Sequence, residues 1–263
     1  MTPLIPNRRQ ILLAGGGALV SAPLLAADPA AAAIDPAIDP AIDPAIDSAG
    51  AELRALHRFT LGAMKISVID DARFTFPAAA FAADQPEGTI APFLERFGLP
   101  SDFVSLHMQM TLIENGGRKI LLDTGMGDVI FPGNPADGGR LFAGLSVLGI
   151  APEDITDVII SHGHPDHVGA CAIDGAPAFK NATYHIPPEE LEFWTRKPGT
   201  EADFFNFMLG VGNAKLEPVR GMTKPYRDGD EIVPGVTAVA APGHTLGHHA
   251  MLIHDGEARG FCT

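Results

Sequence analysis

Ser161-His162-Gly163-His164-Pro165-Asp166-His167 places three imidazoles and one carboxylate within the six residues from His162 to His167. The pattern His-x-His-x-Asp-His is built from groups that bind zinc at short range. The segment ahead of it, Ile155-Thr156-Asp157-Val158-Ile159-Ile160, reads as a strand. In extended chain, residues two apart point the same way, so His162 and His164 can face one ion together. Asp166 and His167 follow at a turn and point elsewhere, which suits a second ion nearby. Val168 to Ile173 then reads as a helix. The stretch thus predicts a two-metal hydrolytic site at the end of a strand, in preference to a lone structural zinc.

Working outward, Val104 to Ile113 alternates, with Val104, Leu106, Met108, Met110 and Leu112 on one face and Ser105, His107, Gln109 and Thr111 on the other. A turn at Glu114-Asn115-Gly116-Gly117 returns the chain as a second strand, Lys119 to Asp123. Gly138 to Leu148 reads as a helix stopped by Gly149. Pro188 to Arg196 and Glu201 to Leu209 read as two more, the first opened by a proline. Val236 to Ala241 and His249 to His254 read as strands on either side of His244. Trp194, Phe193 and the run Phe204-Phe205-Asn206-Phe207-Met208 can line an apolar pocket, but their helical spacing favours core.

The ends of the chain are different in kind. Residues 1–33 hold a basic start (Asn7-Arg8-Arg9-Gln10), an apolar stretch and an alanine-rich exit, the shape of a signal for twin-arginine export. That predicts a periplasmic or secreted protein with no stable membrane span once the signal is removed. Residues 34–50 continue the repeat Ala-Ile-Asp-Pro, whose regular prolines forbid helix and predict an extended linker. Residues 51–263 are long enough for one domain with a sizeable core, and 46% hydrophobic content agrees. A net charge of −14 repels nucleic acid and anionic membrane surfaces. The partner expected is a small-molecule substrate, and a homodimer stays open. Cys171 and Cys262 form no metal pattern, and Cys171 reads as a small buried hydrophobe. No Gly-x-Ser-x-Gly nucleophile elbow is present.

Taken together, the motif, Asp123-Thr124-Gly125 closing a strand, Leu148 to Ile155 leading into the motif strand, and Ala241-Pro242-Gly243-His244-Thr245-Leu246-Gly247-His248 resemble the metallo-β-lactamase superfamily in order and spacing. Glu190-Leu191-Glu192-Phe193-Trp194 makes the chain look most like the exported methyl-parathion-hydrolase-like subgroup. The resemblance implies an α/β fold, the four-layer αββα sandwich. It implies that His162, His164 and His244 hold a first zinc, and that Asp166 and His167 contribute to a second. Asp166 would also be catalytic, holding a zinc-bound hydroxide in line for attack on a lactone, ester or phosphotriester. Asp123 would orient a histidine ligand.

Other readings of the same fold are a β-lactam hydrolase and an iron-dependent sulfur-oxidising relative; a reading of another class is a non-catalytic metal-binding fragment. The family pattern continues beyond Thr263 with a bridging aspartate, a further histidine, and the last strands and helix. The expectation is therefore a C-terminally truncated domain whose own activity is open. Among the other histidines, His248 is expected to orient backbone. His249, His254, His107 and His185 are expected to be structural or solvated, and His57 to lie exposed before the domain.

Overall fold

The computed structural model describes residues 56–82, 85–131, 138–200 and 203–263. The expected export signal (1–33) and repeat linker (34–50) lie outside the described residues.

The first sheet is built from β1 (Leu56–Leu61), β2 (Met64–Pro77), β3 (Phe103–Asn115), β4 (Arg118–Leu122), β5 (Asp157–Ile159), β8 (Thr183–Ile186) and β9 (Thr223–Pro225), in that spatial order. β1 to β4 pair antiparallel, with short turns joining β1 to β2 and β3 to β4, whereas β4, β5, β8 and β9 run parallel. The second sheet is an antiparallel run of β10 (Glu231–Val233), β11 (Val236–Ala240), β12 (His249–Asp255) and β13 (Ala258–Cys262). A small ribbon joins β6 (Ala172–Ile173) to β7 (Ala176–Pro177).

The two sheets stack through Ile66, Ile113, Ile120, Leu122 and Ile159 on one side and Val233, Val236, Ala238, Met251 and Ile253 on the other. The opposite face of the first sheet, with Ile69, Met110, Leu112, Leu121, Val158 and Tyr184, is covered by helices. These are α2 (Leu141–Val147), α3 (Pro165–Val168), α4 (Pro188–Trp194) and α5 (Phe204–Leu216), while α1 spans Ala91–Arg96. The described residues thus form the αββ part of the expected αββα sandwich. No helix among them is long and apolar enough to cross a membrane.

β3 shows why periodicity located the sheet. Residues 103–109 alternate exposed with half-buried, as expected of a strand with one wet face. From Met110 to Ile113 every residue is buried, because the second sheet arrives over the other face.

Three expectations need correction. Val168 to Ile173 is not a helix: the chain makes the single turn α3 and then enters β6. Contacts to Thr124 and to the Tyr184 hydroxyl hold it there, with Ala170 N donating to Thr124 Oγ1 at 3.2 Å and Tyr184 donating to Cys171 O at 3.1 Å. The helix expected over Glu201 to Leu209 is α5, which starts after the N-cap Asp203 and runs on to Leu216. Gly210 and Gly212 weaken the helical signal in sequence, but packing overrides that weakness. His57 is exposed, yet it lies in β1, paired with Val68 inside the fold.

Candidate metal centre

The parallel strands deliver the site. β4 and β5 end side by side, and the chain leaves each into a loop: Asp123-Thr124-Gly125 after β4 and the histidine motif after β5. The loop between β11 and β12 brings His244 to the same end.

Each residue of Asp123-Thr124-Gly125 has a separate task. Asp123 adopts a left-handed backbone (φ 57°), which turns its carboxylate toward the motif. There Oδ1 accepts from Ser161 N and Oδ2 from Ser161 Oγ, both at 2.7 Å. Thr124 Oγ1 donates to His167 O at 2.9 Å and accepts from Ala170 N, so it holds the turn carrying Asp166 and His167. Gly125 leaves room for the buried Asp71 carboxylate, which a Cβ there would meet at 2.4 Å. Asp71 in turn accepts from Met126 N at 2.7 Å and Leu141 N at 2.8 Å, pinning this loop to the start of α2. Burial raises the Asp71 pKa, against the lowering effect of those backbone bonds.

Ring nitrogens of His162, His164 and His244 lie within 4.8 Å of one another. His162 Nε2 stands 3.1 Å from His164 Nδ1, and His164 Nδ1 stands 3.0 Å from His244 Nε2. Three nitrogens on one zinc at 2.0–2.1 Å would be separated by about 3.3 Å in tetrahedral geometry, so the cluster fits one such ion. The hydrogen bonding agrees. The Ser161 hydroxyl donates to Asp123, so it can accept from His162 Nδ1–H at 3.0 Å. That tautomer leaves a lone pair on Nε2, facing the other two rings. Burial, reinforced by the neighbouring imidazoles, holds His162 well below the ordinary histidine range and His164 down to about 3. His244 is lowered for the same reasons. Neutral imidazole is the form that binds a metal. His162 is buried, His164 half-buried and His244 exposed, so the cluster opens to solvent on one side.

Asp166 and His167 take a different position. His167 Nδ1 lies 2.7 Å from Asp123 Oδ2, and its Nε2 lies 3.8 Å from Asp166 Oδ2. Burial disfavours the His167 charge, yet Asp123 and Asp166 outweigh it and raise the pKa to about 9. The ring packs 3.9 Å, centroid to centroid, from that of His162. Asp123 thus reaches His167 directly and His162 through Ser161. Among the described residues no third donor joins Asp166 and His167 as a cluster.

The remaining histidines stand as expected. His248 Nδ1 donates to Ala241 O at 3.1 Å, and His249 Nδ1 donates to Gly247 O at 2.7 Å. His254 bonds Thr237 at 3.0 Å, His107 is exposed, and His185 pairs with Asp157 away from the cluster. Cys171 is buried and both cysteines are free. Trp194 is core, and it also walls the site: its ring is 4.9 Å from that of His164, and a Cβ on Gly163 would meet the indole at 2.1 Å. Phe204 and Phe205 remain exposed, whereas Phe207 packs against a small cluster around Phe74, Met126 and Phe131.

Sequence reading missed three groups that hold the site: Ser161, Asp71 and Glu190. Ser161 stands next to the motif and could have been suspected. Asp71 gave no local signal, and Glu190 was read only as part of a subgroup resemblance, since the loops each one holds are distant in sequence.

Stacked sheets, with three imidazoles converging where the parallel strands end, make an α/β protein whose donor set fits a divalent metal. Residues 109–260 match the Metallo-beta-lactamase superfamily, and the chain belongs to that family. An N-acyl homoserine lactonase from Bacillus cereus is 31% identical over 170 residues, 59% of this chain and 61% of that protein. N-acyl homoserine lactonase AttM from Azorhizobium caulinodans is 29% identical over 173 residues, 57% of this chain and 58% of that protein. The chain thus spans about three-fifths of the length of these curated relatives. Among solved structures, AidC, a dizinc quorum-quenching lactonase in complex with a product, superposes with a TM-score of 0.69 at 23% identity, over 80% of this chain and 74% of that one. The hydrolase AbOPH gives 0.66 at 22% identity, over 78% and 72%. These two likenesses show the fold. The curated relatives carry lactonase names, so the narrower methyl-parathion-hydrolase-like placement gains no support from them.

Proposed function

We propose that the chain's site is that of a zinc-dependent hydrolase acting on lactones, with acyl homoserine lactones as the first substrates to test. The observation that carries the reading is the convergence of ring nitrogens of His162, His164 and His244 on one point, with the His162 tautomer set by Ser161. The lactonase names of the curated relatives support the substrate class. A divalent cation at that point would supply Lewis acidity toward a carbonyl oxygen and lower the pKa of water.

The chain's own residues do the rest. Ser161 and Asp123 fix the His162 tautomer, and Asp123 fixes His167. Asp166, half-buried with its carboxylate 3.8 Å from His167 Nε2, would supply an oxygen donor or proton acceptor on that side of the site. Exposed His244 and the adjoining loop leave the open side by which a small molecule enters.

The test is ring opening of N-hexanoyl homoserine lactone by zinc-loaded full-length protein, followed by proton release. Paraoxon, an aryl ester and a cephalosporin serve as competing classes. Zinc-dependent lactone opening that exceeds the others supports the reading; turnover of the phosphotriester or β-lactam alone would replace it. Export through residues 1–33 is part of the proposal. It predicts that changing Arg8 and Arg9 together to lysine retains the protein in the cytoplasm on fractionation, and unchanged periplasmic delivery would refute it.

A further inference from the structure

We propose that Glu190 is the positioning residue of the metal centre, holding the loop that carries His162 and His164 at a fixed distance from the loop that carries His244. Glu190 sits on α4 and is 1% exposed. A buried carboxylate is costly unless its oxygens are used, and here both are. Oε2 accepts from Gly163 N at 2.9 Å and from Trp194 Nε1 at 2.8 Å. Oε1 accepts from Gly247 N at 2.7 Å.

Gly163 is the residue between His162 and His164, and Gly247 lies just past His244. One carboxylate therefore spans two loops whose histidines are 80 residues apart in sequence, His164 and His244. A backbone bond from His249 N to Ser161 O at 3.2 Å ties the same loops further back. The third donor extends the effect. Trp194 is held by its indole N–H so that its ring backs Gly163 and meets the edge of His164. Glu190 thus sets His164 from the backbone side and from the ring side, while its other oxygen sets the approach of His244. Charge-assisted bonds of this kind are short and directional.

This inference rests on the three histidines binding a metal, and the experiment separates the two ideas. Zinc affinity of the full chain is measured by competition with a chromophoric chelator for wild type, Glu190→Ala, Glu190→Gln and Asp157→Asn. Thermal unfolding of the metal-free proteins is recorded alongside. Asp157→Asn is the control, a buried carboxylate at the other end of β5 that touches neither loop. Glu190→Ala is expected to weaken zinc by about 10–100-fold. Glu190→Gln, which keeps one acceptor oxygen, should fall between that and wild type, and Asp157→Asn should bind as wild type does.

Wild-type affinity in Glu190→Ala, or an equal loss in Asp157→Asn, would overturn the positioning role and leave the metal site standing. If Glu190→Ala does not fold, Glu190→Gln decides: weakened zinc supports the role, and unchanged zinc overturns it. A wild-type chain that binds no zinc would sink the metal site, and this proposal with it.

Discussion

At the amino ends of β4 and β5, Asp157 bonds Arg118 and Thr156 at 2.8 Å each, and it reaches His185 of β8 at 3.0 Å. At the carboxyl ends of β4 and β5, Asp123 bonds Ser161 and His167 at 2.7 Å. Both are aspartate–histidine networks across neighbouring strands, and they differ in where they stop. The Asp157 network closes on itself, with a cation, a hydroxyl and a ring sharing one carboxylate. The Asp123 network runs outward, through Ser161 to His162, whose Nε2 faces the open cluster, and directly to His167, whose Nε2 faces Asp166. A network that closes stabilises the sheet; one that ends on unused lone pairs prepares a site. The two ends of β5 should therefore respond differently to the same kind of substitution.

The largest effect is expected at the open end. His244 is exposed, so His244→Ala should leave folding intact and weaken zinc by about 100-fold or more, read by chelator competition. Retained affinity would mean that the cluster is not one site. Asp123→Asn should cost less, about 10–100-fold in zinc, because it disturbs the orientation of two rings without removing a donor. An unchanged affinity would reduce Asp123 to a loop-turning residue.

The closed end should answer in stability. Asp157→Asn is expected to lower unfolding free energy by about 1–3 kcal/mol in denaturant titration, discounted because Arg118 is half exposed. Burial alone would raise the Asp157 pKa, but the bonds from His185, Thr156 and Arg118 outweigh it and bring it to about 2. A folded pKa below the unfolded one stabilises at higher pH. The contribution is full above about pH 4 and is lost as pH falls toward 2. The acid limb of the stability curve should therefore be shallower in Asp157→Asn. Parallel curves for the variant and wild type would contradict the assignment.

The smallest effect concerns a thiol. Burial pushes Cys171 to about 12, so folded protein at pH 8 should not be labelled there by iodoacetamide, and denatured protein should be. Rapid labelling of the folded chain would show that the packing around Thr124 opens.

The same contrast governs what could be read in the sequence. His162, His164, Asp166 and His167 were legible because strand and turn geometry act over neighbouring residues. Resemblance pointed to His244, which lies beside His164, and to Asp123, which lies against His167, and the alternation of Val104 to Ile113 pointed to the first sheet. Glu190 and Asp71 were not legible. Each is an acid beside another acid, Glu189 or Asp70, and its meaning depends on backbone N–H groups brought to it by tertiary packing, Gly247 in one case and Met126 in the other. The mistaken helix after the motif has the same origin, since Thr124 and Tyr184 draw that segment out of helical geometry.

The most direct measurement is zinc content per folded chain of the full-length protein, by elemental analysis after loading and exhaustive dialysis, for wild type and His164→Ala. The account predicts at least one retained zinc per wild-type chain, and its loss in His164→Ala with circular dichroism unchanged. Full zinc content in His164→Ala, or none in a well-folded wild type, would contradict the claim that three imidazoles at the ends of these strands form a metal site.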